Sequence, residues 1–214
     1  MDAFNGDPLV QSITAYAKDY MKNYDASHSW DHIERVVAMA HHIYTNSDIL
    51  QSTLDLRTIH LAALLHDVGD RKYLRPNEDP TTVVTAVLLS HGATPELASY
   101  IQTICSNVSY TTETTHADAA HMTALLASHP ELAVVQDADR LDAMGAVGIG
   151  RMFAYGGAKT TRGLADTMRH LDEKLVRLEE LMKTAVGRGV ARRRGERLAV
   201  FRGWWAEEVG EGLG

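Results

Sequence analysis

The sequence predicts an all-α protein, an irregular bundle of helices. Three observations carry this. Apolar residues recur at spacings of three and four along nearly the whole chain. Helix-opening residues (Ser, Thr and Asp, with a following Pro) and helix-closing glycines punctuate those runs. Almost nothing alternates with a period of two; VVQDA (134–138) is the best strand candidate, and helical patterns flank it.

The elements follow in order. Leu9, Ile13, Tyr16, Ala17 and Tyr20 form a first helical stripe, and Ile33, Val36, Val37, Ala40 and Tyr44 a second, with Ser27 or Ser29 as its N-cap. Leu56 to His66 is apolar nearly all round, which predicts a central buried helix. Thr81 or Thr82 opens the next helix, and Gly92 stops it. Thr94-Pro95-Glu96 reads as a cap followed by a proline in the first turn. Ala117 to Ala127 is a further helix. Leu132 to Tyr155 is helical and rich in Ala and Gly, as close packing requires. Leu164 to Thr184 reads as one long amphipathic helix and Arg192 to Val209 as the last. Arg71 to Pro80 and Tyr155 to Gly163 read as irregular loops. With no repeat and no low-complexity linker, residues 1–214 are expected to form a single domain, with the C-terminal helices 164–210 packed on it.

Composition narrows the function classes. The chain has 214 residues, 45% hydrophobic and 23% charged, as in an ordinary globular protein. Its formal net charge of -7 offers no general basic surface, so a nucleic-acid polymer is not an expected partner. A small phosphorylated ligand needs only a few local cations. One cysteine, Cys105, excludes a disulfide framework and favours a reducing compartment; it sits in an apolar run and is expected to be core. The first ten residues, MDAFNGDPLV, lack the basic and apolar regions of a signal peptide, and no run reaches the ~18 apolar residues of a membrane span. The expected location is the cytoplasm. Oligomeric state stays open.

Eleven histidines are many for this length, and histidine is the commonest metal ligand. In a helical bundle a metal takes inward-pointing ligands from several helices. Three places fit. In SHSWDHIERV, His32 lies at the edge of the second stripe, four residues after His28. LAALLHDVGD ends the most apolar helix in His66-Asp67. VVQDADRLDAMGAVGIGR sets Asp137, Asp139 and Asp142 among small apolar residues, where a carboxylate is costly unless it is paired or metal-bound. Arg140 is an alternative partner for these acids.

The spacing is His, then His-Asp 34 residues on, then an Asp 72 residues further. With SWDHIERV, ALLHDVGDRKY, QDADRLDAMGAVGIGRMFAYGG and HLDEKL, spread between residues 28 and 176, the chain resembles the HD-domain phosphohydrolase superfamily, an all-α family of metal-dependent enzymes. Within it, QDADRLDA followed by GAVGIGR and YGG is similar to the small stand-alone branch called YpgQ/YedJ-like.

The resemblance implies the ligand set His32, His66, Asp67 and Asp139. The string ADRL favours Asp139 as the last ligand, with Asp137 the runner-up. Two imidazoles and two carboxylates make a borderline nitrogen–oxygen site. It suits a divalent transition metal, Mn²⁺ first, with Co²⁺, Ni²⁺, Fe²⁺, Zn²⁺ and Mg²⁺ open. Such an ion acidifies a water and neutralises phosphate charge.

By the same resemblance, Asp70 is the candidate to orient that water and Lys72 to hold a phosphate; a solvent-facing acid and a surface lysine are the plain alternatives. Arg35 and Arg140 either reach a phosphate or pair with an acid. Asp142 is placed to bond His32 or Arg140, and Asp31 and Glu34 are further candidates to orient ligands. His91 and His170 are candidate pocket residues, with structural roles as the alternative. Ser106, Asn107 and Ser109 either touch substrate or cap a helix. His41, His42, His116, His121 and His129 are expected to bind no metal. Glu78 and Asp79, in the loop after Lys72, would repel a polyphosphate unless they point away.

The implied activity is hydrolysis of nucleoside triphosphates to monophosphate and pyrophosphate, with a small-molecule nucleotide as partner. Dephosphorylation of a nucleoside monophosphate is the alternative on the same chemistry. Cyclic-dinucleotide and alarmone hydrolysis lie further off; the extra histidine signature and G-Y-P string that accompany the former are absent. A nucleotide-binding module without catalysis is the alternative of another class, against which the complete ligand set stands.

Overall fold

The computed structural model describes residues 4–22, 24–70, 74–111, 113, 119–160, 163–173 and 175–210. The described residues form α-helices and no strand. In chain order these are α1 (Pro8–Met21), α2 (Trp30–Thr45), α3 (Asp48–Thr53), α4 (Leu56–Leu65), α5 (Val83–Ser90), α6 (Pro95–Ser106), α7 (Ala119–Ser128), α8 (Glu131–Asp142), α9 (Gly145–Lys159), α10 (Leu164–Glu173) and α11 (Ala185–Glu208). A 3₁₀ stretch, Leu175–Leu181, lies between the last two.

Local chemistry sets most helix starts. Asp7 accepts hydrogen bonds from the backbone N–H groups of Leu9 and Val10, with Pro8 in the first turn. Asp55 caps α4 through Arg57 and Thr58, and Thr94 caps α6 through Leu97. Ser29 sits at the N-cap of α2 without a side-chain bond, whereas Ser27 is buried and bonded to Asp25.

Helices α2 and α4 make the centre. α2 buries His32, Ile33, Val36, Val37, Ala40 and Ile43 and packs against both α4 and α8. α4 is buried from Thr58 to Leu65. Burial of a Leu- or Ile-sized side chain stabilises by roughly 1.5–3 kcal/mol, so this helix anchors the His66-Asp67 pair that follows it. α6 packs on α4 and α5, while α9, α10 and α11 pack together on the α8 side.

Four expected boundaries differ. The run from Leu132 to Tyr155 is two helices, because Gly145 takes a left-handed conformation (φ 69°) and reverses the chain after α8. The stretch expected as a loop from Tyr155 is helical to Lys159; Gly156 lets α9 approach Thr167 so closely that a Cβ there would lie 2.7 Å from the threonine hydroxyl. Leu164 to Thr184 is not one helix: α10 ends at Glu173, and the 3₁₀ stretch keeps Leu175 and Leu178 in the core. The last helix starts at Ala185, not Arg192, because Thr184 caps it by accepting from Gly187. α3 was not expected, and VVQDA lies within α8.

Candidate metal centre

The centre lies where α2, α4 and α8 meet. His32 projects from the first turn of α2. His66 ends α4, and the chain turns at once: Val68 N–H donates to Leu65 C=O at 2.9 Å, and Gly69 adopts φ 86°. A Cβ on Gly69 would lie 2.6 Å from Val83 Cγ1, so glycine is required there by both conformation and space. This tight turn aims both His66 and Asp67 inward. Asp139 comes from α8, on a half-buried position.

The four expected ligands are brought together. One ligand atom from each of His32, His66 and Asp139 lies within 4.8 Å of the others. His32 Nε2 is 3.4 Å from an Asp67 oxygen and 3.5 Å from Asp139; His66 Nε2 is 3.5 Å and 3.8 Å from the same two carboxylates.

The hydrogen bonds behind the imidazoles settle their tautomers. His32 Nδ1 lies 2.7 Å from Asp142 Oδ2, and His66 Nδ1 lies 2.8 Å from Ala63 C=O. Both partners only accept, so both Nδ1 atoms carry the hydrogen. In the neutral form, the one that can take a cation, each ring therefore turns a bare Nε2 lone pair toward the other, 3.2 Å apart. Asp67 Oδ2 is buried beside them with no hydrogen-bond partner among the described residues. Two lone pairs and two carboxylates converge without a donor among them. Such a set fits a divalent cation by geometry and donor type.

The proton affinities report the same demand for positive charge. Burial alone lowers that of His32, but its bond to Asp142 and the carboxylate of Asp67 outweigh burial and raise it, so a proton on Nε2 competes with a cation for this place. Burial raises that of Asp67, and the adjacent His66 and His32 overcome this and hold the carboxyl well below its ordinary value.

Asp142 is the hub behind the site. Burial works against its charge, yet His32 and Arg35 keep it well below the carboxylate range. Arg35 donates to it through Nε at 2.7 Å and Nη2 at 3.0 Å, and Arg151 through Nη1 at 3.0 Å. Of the two expected partners of Asp142, His32 is found and Arg140 is not. Arg151 was missed by the sequence reading. It also donates to Ser27 C=O at 2.7 Å, tying α9 to the turn before α2. Its one sequence signal is a cation amid Gly, Ala and apolar residues, eight positions before the Lys159 that ends the helix.

Other candidates find different roles. Asp137, the runner-up ligand, accepts from the backbone N–H groups of Lys183 and Thr184 and from the Thr184 hydroxyl, at 2.7–2.8 Å, and so holds the start of α11. Arg140 is buried and pairs with Glu113, also donating to Leu181 C=O. His91 caps α5, its Nδ1 2.8 Å from Val87 C=O and its ring edge-on to Tyr16. Asp31 and Glu34 are exposed. Asn107 caps α6, and Cys105 is buried, its thiol pushed up by burial. His28 lies edge-on to His32, 6.0 Å between ring centres. Glu78 accepts from the Tyr20 hydroxyl of α1 and from the Arg75 N–H, and Asp79 accepts from Thr81, so both acids are occupied. Asp70 follows the Gly69 turn, half-buried. Lys72 and His116 lie outside the described residues, as does the side chain of His170, whose backbone belongs to α10.

An all-α bundle whose central helices converge histidines and aspartates on one point is a metal-site helical protein. The chain belongs to the HD domain family, whose profile matches residues 29–144, a stretch that contains all four clustered residues. It is 30% identical over 191 residues to YpgQ of Bacillus subtilis (strain 168), covering 86% of each chain. The crystal structure of Bacillus subtilis YpgQ in complex with ADP is similar with a TM-score of 0.72 and 29% identity, over 94% of this chain and 97% of that one. An HD-superfamily hydrolase from Bacillus thuringiensis gives 0.67 and 29%, over 94% and 96%.

Proposed function

We propose that this chain is a divalent-metal-dependent phosphohydrolase that splits nucleoside triphosphates into monophosphate and pyrophosphate, working in the cytoplasm with Mn²⁺ as its preferred ion. The observation that carries the reading is the donor-free cluster, in which His32 and His66 face each other through bare Nε2 atoms beside Asp67 and Asp139. The ADP bound to the similar YpgQ supports a nucleotide as the small-molecule partner.

His32, His66, Asp67 and Asp139 hold the cation. When bound, it supplies Lewis acidity toward a phosphate oxygen and lowers the pKa of a water. The remaining work belongs to the chain. Asp142 fixes the His32 ring, with Arg35 and Arg151 balancing its charge. Asp139, a quarter exposed, sits on the open side where a phosphate arrives. Asp70 orients the attacking water, and Lys72 and the outer edge of Arg35 take up charge on the phosphate oxygens.

The test is a metal-depleted preparation reloaded with Mn²⁺, Co²⁺, Ni²⁺, Zn²⁺ or Mg²⁺ and given a panel of nucleotides, with products separated by chromatography. Monophosphate plus pyrophosphate is the expected outcome. Free phosphate from a monophosphate overturns the substrate reading and keeps the metal centre. No turnover with metal verified as bound overturns the catalytic reading altogether.

A further inference from the structure

One face of α9 runs along the connection between α1 and α2. Arg151, Tyr155 and Lys159 recur every four residues and so share that face. Each meets a different residue of the connection. Arg151 donates to Ser27 C=O at 2.7 Å, the Tyr155 ring stands edge-on to His28 with 6.0 Å between ring centres, and Lys159 reaches Asp25 at 3.7 Å. Arg151 also touches Asp142, behind the metal centre. At 1.5 Å per residue, Tyr155 lies about 6 Å farther along the helix.

The His28 ring is held in place. The Ser27 N–H and hydroxyl both donate to Asp25, so the serine oxygen is left to accept from His28 Nδ1, 2.7 Å away. His28 also stands edge-on to His32, and its charge acts on Asp67. His28 and Tyr155 are both half-buried, and their planes cross at 64°. Two rings set this way form a corner, where a flat aromatic group stacks on one face while the other ring meets its edge.

We propose that the corner of His28 and Tyr155 is the nucleobase site of this chain, and that it separates nucleotides from polyphosphates that carry no base. The proposal rests on the reading of the metal centre as a nucleotide site and adds what holds the part of the substrate that does not react. A nucleotide carries its base one ribose away from its α-phosphate, and one ring, His28, separates Tyr155 from His32 of the ligand cluster. An inorganic polyphosphate or a phosphorylated aliphatic leaves both rings unused. Every base has a face to stack, so the corner accepts purines and pyrimidines alike.

Calorimetric titration of the Mn²⁺-loaded protein with ADP and with inorganic pyrophosphate tests this without turnover. The wild type should bind ADP the more tightly. Tyr155→Leu should weaken ADP about tenfold or more and leave pyrophosphate within about twofold. Tyr155→Phe keeps the ring and should keep the wild-type affinity for ADP. Wild-type protein that binds ADP no more tightly than pyrophosphate overturns the proposal. So does an equal loss for both probes in Tyr155→Leu, which marks a disturbed metal centre and not a lost base contact. Unchanged ADP affinity in Tyr155→Leu overturns it as well and puts the base elsewhere. Tyrosine-dependent ADP binding in a protein that hydrolyses no nucleotide supports this site and overturns the catalytic reading instead.

Discussion

Asp142 Oδ2 stands 2.7 Å from His32 Nδ1, joining residues 110 apart in the chain and the ends of α2 and α8. The contact fixes which nitrogen of His32 is bare and where it points. It is reinforced by two arginines, so a buried carboxylate carries more positive charge around it than it needs for its own stability.

Asp142→Asn is therefore expected to weaken divalent-metal binding about 10- to 100-fold, measured by calorimetric titration of the metal-free protein. An amide turns its donor toward either His32 or the arginines and cannot serve all three. Unchanged affinity would show that the tautomer of His32 is fixed by something else.

The cluster itself predicts a stabilisation that depends on metal. Mn²⁺ at about a hundred times its dissociation constant should raise the stability of the native state by about 2.7 kcal/mol. His66→Ala and Asp67→Ala should remove most of that increment while still melting cooperatively. Thermal melts with and without Mn²⁺ decide it; an equal metal-dependent shift in the variants would sink the assignment of these two residues.

Further along α2, His41 Nε2 lies 2.8 Å from His60 Nδ1 of α4, with Phe4 edge-on to His60. Burial first, and His41 beside it second, pull the His60 imidazole down to about 4. The folded chain thus binds fewer protons than the unfolded chain between its ordinary value of 6.5 and about 4. The contribution is present in full above the unfolded value and is lost as pH falls through that window, by up to about 3 kcal/mol. Urea denaturation from pH 7 to pH 4 should show this loss in the wild type and a flatter profile in His60→Gln. Parallel profiles would mean that other groups carry the acid sensitivity.

Gly69 closes the turn that presents Asp67. At φ 86°, with Val83 in the way of any Cβ, Gly69→Ala should cost about 1–3 kcal/mol. It should also lower metal affinity, because relief of the strain moves Asp67. A stable variant with normal metal binding would show that the turn can relax without displacing the ligand.

What the sequence disclosed follows the range of the forces involved. The stripes of α1 and α2 were legible because Leu9, Ile13, Ala17, Tyr20, Ile33, Val36, Val37 and Ala40 all face the core. The four clustered residues were legible through the resemblance: His32, His66-Asp67 and Asp139 are weak signals singly, and the strings around them, ADRL above all, single them out from neighbours such as Asp137. The break after α10 was not: over seven residues a 3₁₀ period of three and an α period of 3.6 bury the same leucines. The start of α11 was hidden for a different reason, since the groups that organise it include Asp137, 47 residues from Thr184. Arg151 was hidden likewise, because its partner Asp142 lies across the reversal at Gly145, and a reversal is invisible to periodicity.

Asp137 and Asp139 make the sharpest pair of contrasting variants, because they lie two residues apart on one helix and point to different tasks. Asp137 is fully buried, and burial raises its carboxyl, against the pull of its bonds to Lys183 and Thr184. Its Oδ2 also fills the space over Gly187, where a Cβ would lie 2.3 Å away. In Asp137→Asn the amide can accept from one backbone N–H but presents a donor to the other, so a buried donor is left unpaired. That costs about 1–3 kcal/mol and should appear as a lower denaturation midpoint, with metal stoichiometry unchanged and affinity altered by no more than a few fold. Asp139→Asn should do the reverse. Its side chain is partly exposed and close to His32 and His66 Nε2, so the metal-free protein should keep its stability while metal binding weakens by tenfold or more. If instead Asp137→Asn abolishes metal binding and Asp139→Asn leaves it intact, the ligand on α8 is Asp137, and the bonds it makes to Lys183 and Thr184 must break when the cation binds.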